Sequence, residues 1–337
     1  MQALYVHGVS CAAVLQKLGT LVGGLEHGLV FASHLGDPRV AFRFVFPVAL
    51  VLFSPALGHA VLRCAIISEW LNVVFKWFLF GERPYWWIFE SGFYLEKDPE
   101  IQQFSVTCET GPGSPSGHCM VTAAVMWVMV PSLENYVYNL CRSRWMARTF
   151  TWGPALLFLM AIGISRVFIL AHFPHQVIAG LVAGACLGWL LRREKLTQGW
   201  DVRAYIIASL SLICIALIFQ YGLLTLGLDL HWSLRLAQRW CTQKKWVHLI
   251  TTPLSSLMRD SGACCGLGIA LHVFGALRPT QEGPFMRAVS AVLILLALHL
   301  LDSLKIPSDP LLLFYALIFL KNTALPIVVM GIFRFFV

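Results

Sequence analysis

Hydrophobic positions along this chain come in long unbroken runs, not in the alternating or narrow-stripe patterns of a water-soluble core. Runs approaching the length that spans a bilayer, about 17–25 residues, lie near Val40–Leu57, Ala60–Phe80, Gly117–Leu133, Phe150–Ser165, Pro174–Leu191, Ala204–Leu226, Ala263–Leu277, Ala288–Leu301 and Leu311–Phe333. They predict an all-α polytopic membrane protein with about nine transmembrane helices. Residues 6–31 carry Lys17, Glu26 and two histidines. That mixture fits an amphipathic or interfacial helix, so 1–39 is expected to be a non-cytoplasmic or interfacial segment. No internal repeat, low-complexity segment or soluble domain interrupts the pattern. The chain, 1–337, reads as a single integral membrane domain.

Composition agrees. The chain is 58% hydrophobic and 12% charged, about half the charged share of an ordinary soluble domain. The net charge of +8 does not gather into a basic patch. It sits in short loops, which points to membrane topology and away from a nucleic-acid partner. The N-terminal MQALYVHGVSCAAVLQKLG lacks a basic leader and is interrupted by Gln16 and Lys17, so no secretory signal is expected.

The loop after the third run carries Arg142, Arg144 and Arg148; the loop after the fifth carries Arg192, Arg193, Lys195 and Arg203. The positive-inside rule makes their shared side cytoplasmic. Loops after even-numbered runs then face the other compartment. The acidic loop Gly81–Ser116 agrees, with Glu90, Glu96, Asp98, Glu100 and Glu109. The loop after the sixth run conflicts, since it carries Arg235, Arg239, Lys244 and Lys245. It is longer and its charges lie farther from the span ends, so parity is kept. Cys64, Cys186, Cys214 and the Cys264-Cys265 pair fall in apolar runs and read as packing residues. Cys108 and Cys241 fall in loops, where free thiols and a bridge between them are both open.

Candidate chemistry begins in "CETGPGSPSGHCM", Cys108 to Met120. Pro115-Ser116-Gly117 reads as a helix start, with Ser as N-cap and Gly letting a ligand approach the backbone. The free N–H groups of a helix start suit an anion, and His118 would face the same space. A capped helix end with an interfacial histidine is the equal alternative for this stretch alone. Lys76 and Arg83 in "KWFLFGERP" are seven apart, so a helix would stack them on nearly one face. Pro84 disfavours helix at Arg83 and should turn the chain there. Snorkelling anchors are the plainer reading, but Lys76 lies more than a turn inside an apolar run, where a cation needs an anionic partner or ligand. In "SRVFILAHFPHQ", Arg166 ends the fourth run and His172 precedes the fifth.

Parity places all three stretches on one membrane face, and snorkelling does not predict the histidines. His175 reads as structural, beside Pro174, ahead of a second catalytic role. For Glu109 and Thr110, a sugar contact, an ion pair with the cations and plain loop structure all stay open. Asp260 is a further candidate for a sugar contact. Trp86 and Trp87 read as interfacial aromatics ahead of a sugar platform.

Taken in order, K-x6-R-P, P-S-G-H and S-R-x5-H resemble the signature of the type 2 phosphatidic acid phosphatase and vanadium haloperoxidase superfamily. "EWLNVVFKWFLFGERPYWW", "LGLDLHWSLRLAQRWC" and "RDSGACCGLGIALH" extend the likeness to the glucose-6-phosphatase catalytic subunit family, over residues 69–272. "LGDPRVAF", "FESGFY" and the Asp of "RDSG" look most like its ubiquitously expressed branch. The chain ends GIFRFFV, without the dilysine tail of the liver branch.

The resemblance implies a type 2 phosphatidic acid phosphatase-like helical core. It implies hydrolysis of glucose 6-phosphate, and of relatives such as 1,5-anhydroglucitol 6-phosphate, through a phosphohistidine, with no metal and no cofactor. His172 would be the nucleophile and His118 the general acid and base. Lys76, Arg83, Ser116, Gly117 and Arg166 would hold the phosphate. The implied location is the endoplasmic reticulum membrane with a luminal site. The implied partners are a small sugar phosphate, membrane lipids and, by functional coupling, a sugar-phosphate transporter. One departure concerns orientation: the superfamily places Asp four residues after the nucleophile, and this chain has Gln176. A Gln carbonyl accepts the imidazole N–H but supplies no charge. A lipid phosphate phosphatase on the same scaffold and a non-enzymatic sugar-phosphate transporter remain as alternatives.

Overall fold

A computed structural model describes residues 2–94, 99–193, 199–275 and 283–336. Glu96, Asp98, Lys195 and the end of the run near Leu277 lie outside the described residues. Every regular element among the described residues is helical. The segment expected as one interfacial helix is two, α1 (Gln2–Leu21) and α2 (Leu25–Leu35), broken at Gly23-Gly24, where Gly24 adopts a left-handed φ of 86°. Asp37 then caps α3 (Pro38–Val40) by accepting the Arg39 N–H. Two π-helical turns follow, Ala41–Val45 and Ala49–Phe53, with α4 (Phe46–Val48) between them. Pro47, which has no N–H to donate, sits at the junction.

The remaining helices are α5 (Pro55–Leu79), α6 (Pro84–Glu90), α7 (Gly117–Cys141), α8 (Arg144–Phe168), α9 (Pro174–Arg193), α10 (Val202–Thr225), α11 (Trp232–Trp240), α12 (Pro253–Phe274), α13 (Pro284–Ser303) and α14 (Leu311–Phe336). Among the described residues, seven segments are long and apolar enough to cross a membrane: Pro55–Glu90, Gly117–Cys141, Arg144–Phe168, Pro174–Arg192, Val202–Thr225, Phe285–Ser303 and Leu311–Phe336. The chain is a multi-pass membrane protein. Two of the nine expected runs are not in that set. Val40–Leu57 falls on the short α and π pieces and is broken at Ser54, whose extended backbone and hydroxyl cap α5. Ala263–Leu277 falls on α12, whose first half carries Arg259 and Asp260.

The centre of the bundle is α7, packed against α5, α8 and α9. Along α9, Gly180, Gly184 and Gly188 recur every fourth residue and face it. A Cβ on Gly180 would lie 2.6 Å from the Ser116 carbonyl, and one on Gly184 or Gly188 would collide with the carbonyl of Met120 or Ala124. A stripe of small residues lets two helix backbones touch where no water drives them together. The same device joins α12 to α14, with Gly262 and Gly266 against the carbonyls of Phe319 and Thr323. Close contact of α7 with α9 brings the start of one helix, at Gly117, beside the start of the other, at Pro174.

The N-terminal helices also serve this end of the bundle. α1 and α2 pack on α8. Gln16, which interrupts the apolar stretch at the N-terminus, is buried. Its amide donates to the carbonyls of Phe168 at 2.7 Å and Gln102 at 2.9 Å and accepts the Gln102 N–H at 2.8 Å.

Gly184→Ala is expected to lower the melting temperature of the detergent-solubilised protein, by an overpacking cost of about 1–3 kcal/mol. Gly153→Ala on α8, where nothing lies within 4 Å of the new Cβ, should leave it unchanged or raised. Equal shifts in the two variants would show that the α7–α9 contact is not what the glycine serves.

Candidate active site

Arg83 reaches the site because helix α5 stops. Phe80 adopts a left-handed φ of 45°, and Arg83 is extended at φ −114° as the residue before α6, with Pro84 in the first helical position. The turn expected at Pro84 is there. The helical stacking of Lys76 on Arg83 is not, because Arg83 lies beyond the helix end. Its guanidinium is fully buried and donates to the carbonyls of Gly111 (2.7 Å), Ala171 (2.9 Å) and Pro112 (3.2 Å). Arg166, in the last turn of α8, is 1% exposed and donates to Ser33 Oγ at 2.6 Å.

Two buried guanidinium groups facing one space demand an anion. Glu109 supplies it. Its Oε2 lies 3.0 Å from Arg83 Nη2 and its Oε1 accepts a hydrogen bond from Arg166 Nη2. The same two oxygens lie 3.6 Å from His118 Nδ1 and 3.8 Å from His172 Nε2. Of the three readings open for Glu109, the ion pair is the one observed. Burial alone would raise its pKa, but Arg166 and Arg83 outweigh that and hold the carboxyl well below its ordinary range. Burial, then the Arg83 charge, hold His172 well below its ordinary 6.5. Its imidazole is therefore neutral at neutral pH.

The loop between α8 and α9 presents His172. Leu170 takes a left-handed φ of 61°, unusual for a bulky residue, and the N–H groups of Ala171 and His172 both donate to the Arg166 carbonyl at 3.1 Å. His172 Nδ1 lies 2.7 Å from the Gly113 carbonyl. A carbonyl only accepts, so Nδ1 carries the proton and Nε2 offers its lone pair to the Arg83 and Glu109 side. Gln176 Oε1 is 3.4 Å from the same Nδ1, but it also accepts the Phe173 N–H at 3.1 Å, while its amide donates to the Glu82 carbonyl at 2.7 Å. The main acceptor that orients the imidazole is thus a backbone carbonyl. Only glycine fits at 113, since a Cβ would collide with the Glu82 carbonyl and stand 2.9 Å from Gln176 Oε1. Gly113 was not among the expected site residues, although the GPG triplet marks a tight turn.

The helix start differs from expectation. Ser116 precedes α7, but its hydroxyl makes no capping bond and is buried without a hydrogen-bond partner among the described residues. Its N–H donates to the Gln176 carbonyl at 3.1 Å, so it is not free for an anion. A Cβ on Gly117 would stand 2.8 Å from Asn72 Oδ1. That glycine makes room for Asn72. The donors that hold the Glu109 carboxylate in the cradle are side chains. Arg166 Nε is a further buried donor with no partner among the described residues. Lys76 makes no hydrogen bond among them and lines the adjoining cavity.

That cavity, about 440 Å³, has Lys76, Glu109, His118 and Arg166 at one end. Its other walls carry Asp37, Arg39, Glu69 and Arg259, with His248 and Thr251. Glu69 and Arg259 are hydrogen-bonded to each other and buried. Asp260 is fully buried beside Arg259 and is not on the wall. Thr110 bonds Thr251 Oγ1 at 3.0 Å and accepts the Ser233 hydroxyl, so it ties loops together behind the wall. His175 packs on Phe173 and Tyr5, the structural role favoured for it. Trp86 and Trp87 are neither interfacial nor a sugar platform. Both are buried, against Tyr85 and Trp232 and against Tyr5 and Phe173 respectively. Cys108 and Cys241 form a disulfide, which fastens the segment after α11 to the loop that carries Glu109. Ser33 was missed because no motif surrounds it, and Asp37 and Arg39 because "LGDPRVAF" was read for its likeness alone and not for a role at the site.

A buried basic cradle with two histidines, set on a helical core, defines a phosphatase of the PAP2 superfamily, and that superfamily's profile matches residues 58–200. No solved structure matches the chain. It is 43% identical over 334 residues to "Glucose-6-phosphatase 3" of Homo sapiens, covering 98% of this chain and 94% of that one. It is 40% identical over 308 residues to "Glucose-6-phosphatase catalytic subunit 1" of Canis lupus familiaris, covering 88% and 85%, and 37% identical over 316 residues to "Glucose-6-phosphatase 2" of Homo sapiens, covering 90% and 88%. The chain belongs to the glucose-6-phosphatase family and is a phosphoric monoester hydrolase.

Two outcomes follow from the His172 geometry. Gly113→Ala should cut kcat about 100-fold in a folded protein, the scale of a catalytic group misplaced by an ångström. Because the His172 pKa is lowered, its Nε2 stays unprotonated as pH falls through 6.5. The acid limb of kcat/KM that belongs to it should therefore lie below that value, and a limb at or above it would refute the assignment.

Proposed function

We propose that the protein hydrolyses sugar 6-phosphates, glucose 6-phosphate first among them, through a phosphohistidine on His172. One observation carries the reading. A single carboxylate is held by Arg83 and Arg166 with His118 and His172 on its two oxygens, an arrangement that suits a phosphoryl group between a nucleophile and an acid. His172 Nε2 attacks phosphorus while its Nδ1–H stays on the Gly113 carbonyl. The bond from phosphorus to the sugar oxygen breaks, and His118 gives that oxygen its proton. His118 then takes a proton from the water that attacks the phosphohistidine, which releases phosphate and restores His172. Arg83, Arg166 and Lys76 offset the charge on the phosphoryl oxygens, the guanidinium forks matching them in pairs.

The walls beyond the cradle favour a polyol over an acyl chain, since they carry Asp37, Arg39, Glu69 and Arg259. Only the 6-phosphate takes part in the chemistry, so 1,5-anhydroglucitol 6-phosphate fits the same steps. The whole chain, 1–337, acts as one membrane phosphatase unit. The helical stretch 38–53 and α12 pack against membrane-length helices, which supports nine membrane segments over seven. A disulfide on the face of the site suits an oxidising compartment, and with the basic residues Arg142, Arg144, Arg148, Arg192 and Arg203 at the other ends of the helices, it supports a site facing the endoplasmic reticulum lumen. Two of the charges that conflicted with this orientation, Arg235 and Arg239, pair with Asp229 and Glu90. An ionised sugar phosphate does not cross a bilayer unaided, so a luminal site depends on a transporter to deliver it.

Purified wild-type protein in detergent and excess EDTA is expected to release phosphate from glucose 6-phosphate and to form an acid-labile, base-stable phosphoenzyme. A folded His172→Ala protein should do neither. A phosphoenzyme that survives this substitution would remove His172 as nucleophile. Preference for phosphatidate over sugar phosphates would move the protein to lipid substrates.

A further inference from the structure

The cradle assigned to the substrate's phosphate already holds an anion, and that anion is a side chain of the protein. We propose that Glu109 is a displaceable counter-anion. It occupies the phosphate position in the resting site, an incoming phosphate drives it out, and its return sets how weakly the site holds free phosphate. This rests on the reading above only in that the cradle receives a phosphoryl group.

The contacts leave no room for both anions in one place. Arg83 Nη2 and Arg166 Nη2, the guanidinium nitrogens that face the centre, both hold the Glu109 carboxylate, and both histidines lie within 4 Å of it. A phosphoryl group at bonding distance from His172 Nε2 takes over these partners. The main chain of Glu109 is pinned. Tyr85 donates to the Glu109 carbonyl at 3.1 Å, Thr107 Oγ1 donates to the Ile169 carbonyl at 2.6 Å, and Cys108 is bridged to Cys241. The exchange is therefore a rotation of the side chain, and the cavity is beside it. Glu109 lines the cavity, and so does Lys76, a cation with no hydrogen bond among the described residues and close enough to feel the Glu109 charge.

Selectivity follows from the number of oxygens. A carboxylate has two and both are used. Arg166 Nε, on a guanidinium that holds the carboxylate, is a buried donor that the carboxylate does not satisfy. A phosphate brings more acceptor oxygens and more charge, so it gains from a donor that a carboxylate leaves idle. The resting site thereby keeps its buried guanidinium groups paired between turnovers, and the inorganic phosphate left after hydrolysis must compete with a tethered anion to remain.

Orthovanadate titrated calorimetrically into the detergent-purified full chain tests this without any sugar. Glu109→Gln should bind it at least about tenfold more tightly than wild type, and Glu109→Asp, with its charge on a shorter arm, should fall between. In the phosphatase assay, inhibition by inorganic phosphate should strengthen in the same order, with KM and kcat falling together as product leaves more slowly. Unchanged or weaker vanadate binding in folded Glu109→Gln would overturn the proposal, as would no vanadate binding by either form.

Should the variants fail to fold, a structure of wild type with vanadate decides. The carboxylate swung away from Arg83 and Arg166 supports the exchange; the carboxylate still bonded to both, with vanadate at His172, overturns it. Tighter vanadate binding by Glu109→Gln in a protein that hydrolyses no sugar phosphate would leave this inference standing and remove only the sugar-phosphatase reading.

Discussion

Arg83 and Arg166 are buried almost completely at one place in a chain made mostly of apolar residues, and the construction around them follows from keeping them charged. Removing an ion from water costs several kcal/mol even after the protein relaxes. Arg83 meets that cost with three backbone carbonyls, those of Gly111, Pro112 and Ala171. Carbonyls that point at one guanidinium cannot at the same time serve a helix, so the chain must be irregular from Gly111 to Ser116 and again from Ile169 to Phe173. Irregular backbone at the end of a bundle needs its own support. The left-handed turn at Leu170 and the doubly used carbonyl of Arg166 give that support on one side. On the other side, Gly113 donates its N–H to the Gly81 carbonyl at 2.6 Å.

The packing of the bundle then fixes where those loops meet. Glycines 180, 184 and 188 let α9 lie against α7 backbone to backbone, so the stretch before α7 and the loop before α9 cannot drift apart. Gln16 ties α1 to both loops through Phe168 and Gln102, and the Cys108–Cys241 bridge brings the segment after α11 over the top. Residues more than two hundred positions apart thus line one cavity, from Ser33 to Arg259. Each support acts on the position of backbone carbonyls, and through them on the Arg83 guanidinium and the His172 imidazole.

This explains which parts of the site were legible in the sequence. His118, Arg166 and His172 lie in short motifs whose residue types state their chemistry, and Pro84 announces the turn that frees Arg83. The chain's class was legible because apolar runs that long have no other use. The acceptor for His172 was not, since a carbonyl belongs to every residue and only the fold selects Gly113. Asp260 was a candidate and its neighbour Arg259 was not considered, but adjacent helical residues point about 100° apart. The one that faces the cavity was undetermined until α12 was placed against α5. The tryptophans misled for a related reason: composition says that Trp favours an interface, while α6 is buried and turns Trp86 and Trp87 into core. The number of spans was blurred where a run contains Pro47 or adjoins a buried ion pair, because hydropathy adds up residues and does not register how the backbone accommodates them.

Gln176 is the last of these, and the geometry gives its presence a physical sense. An acid hydrogen-bonded to the imidazole Nδ1–H would favour the protonated ring, and on the proposed mechanism it is the neutral ring's Nε2 lone pair that attacks phosphorus. The Gly113 carbonyl orients the same N–H without a full charge. Gln176 holds that arrangement by bonding Glu82 and Phe173 on either side of it. Orientation and charge are thereby separated. A backbone carbonyl, which cannot leave, does the first. The second falls to Glu109, which on the proposed exchange is present when the guanidinium groups need a partner and absent when a phosphate takes that role. A fixed carboxylate at position 176 would oppose the substrate's dianion at every stage, whereas a carboxylate on a free side chain opposes it only until it is displaced.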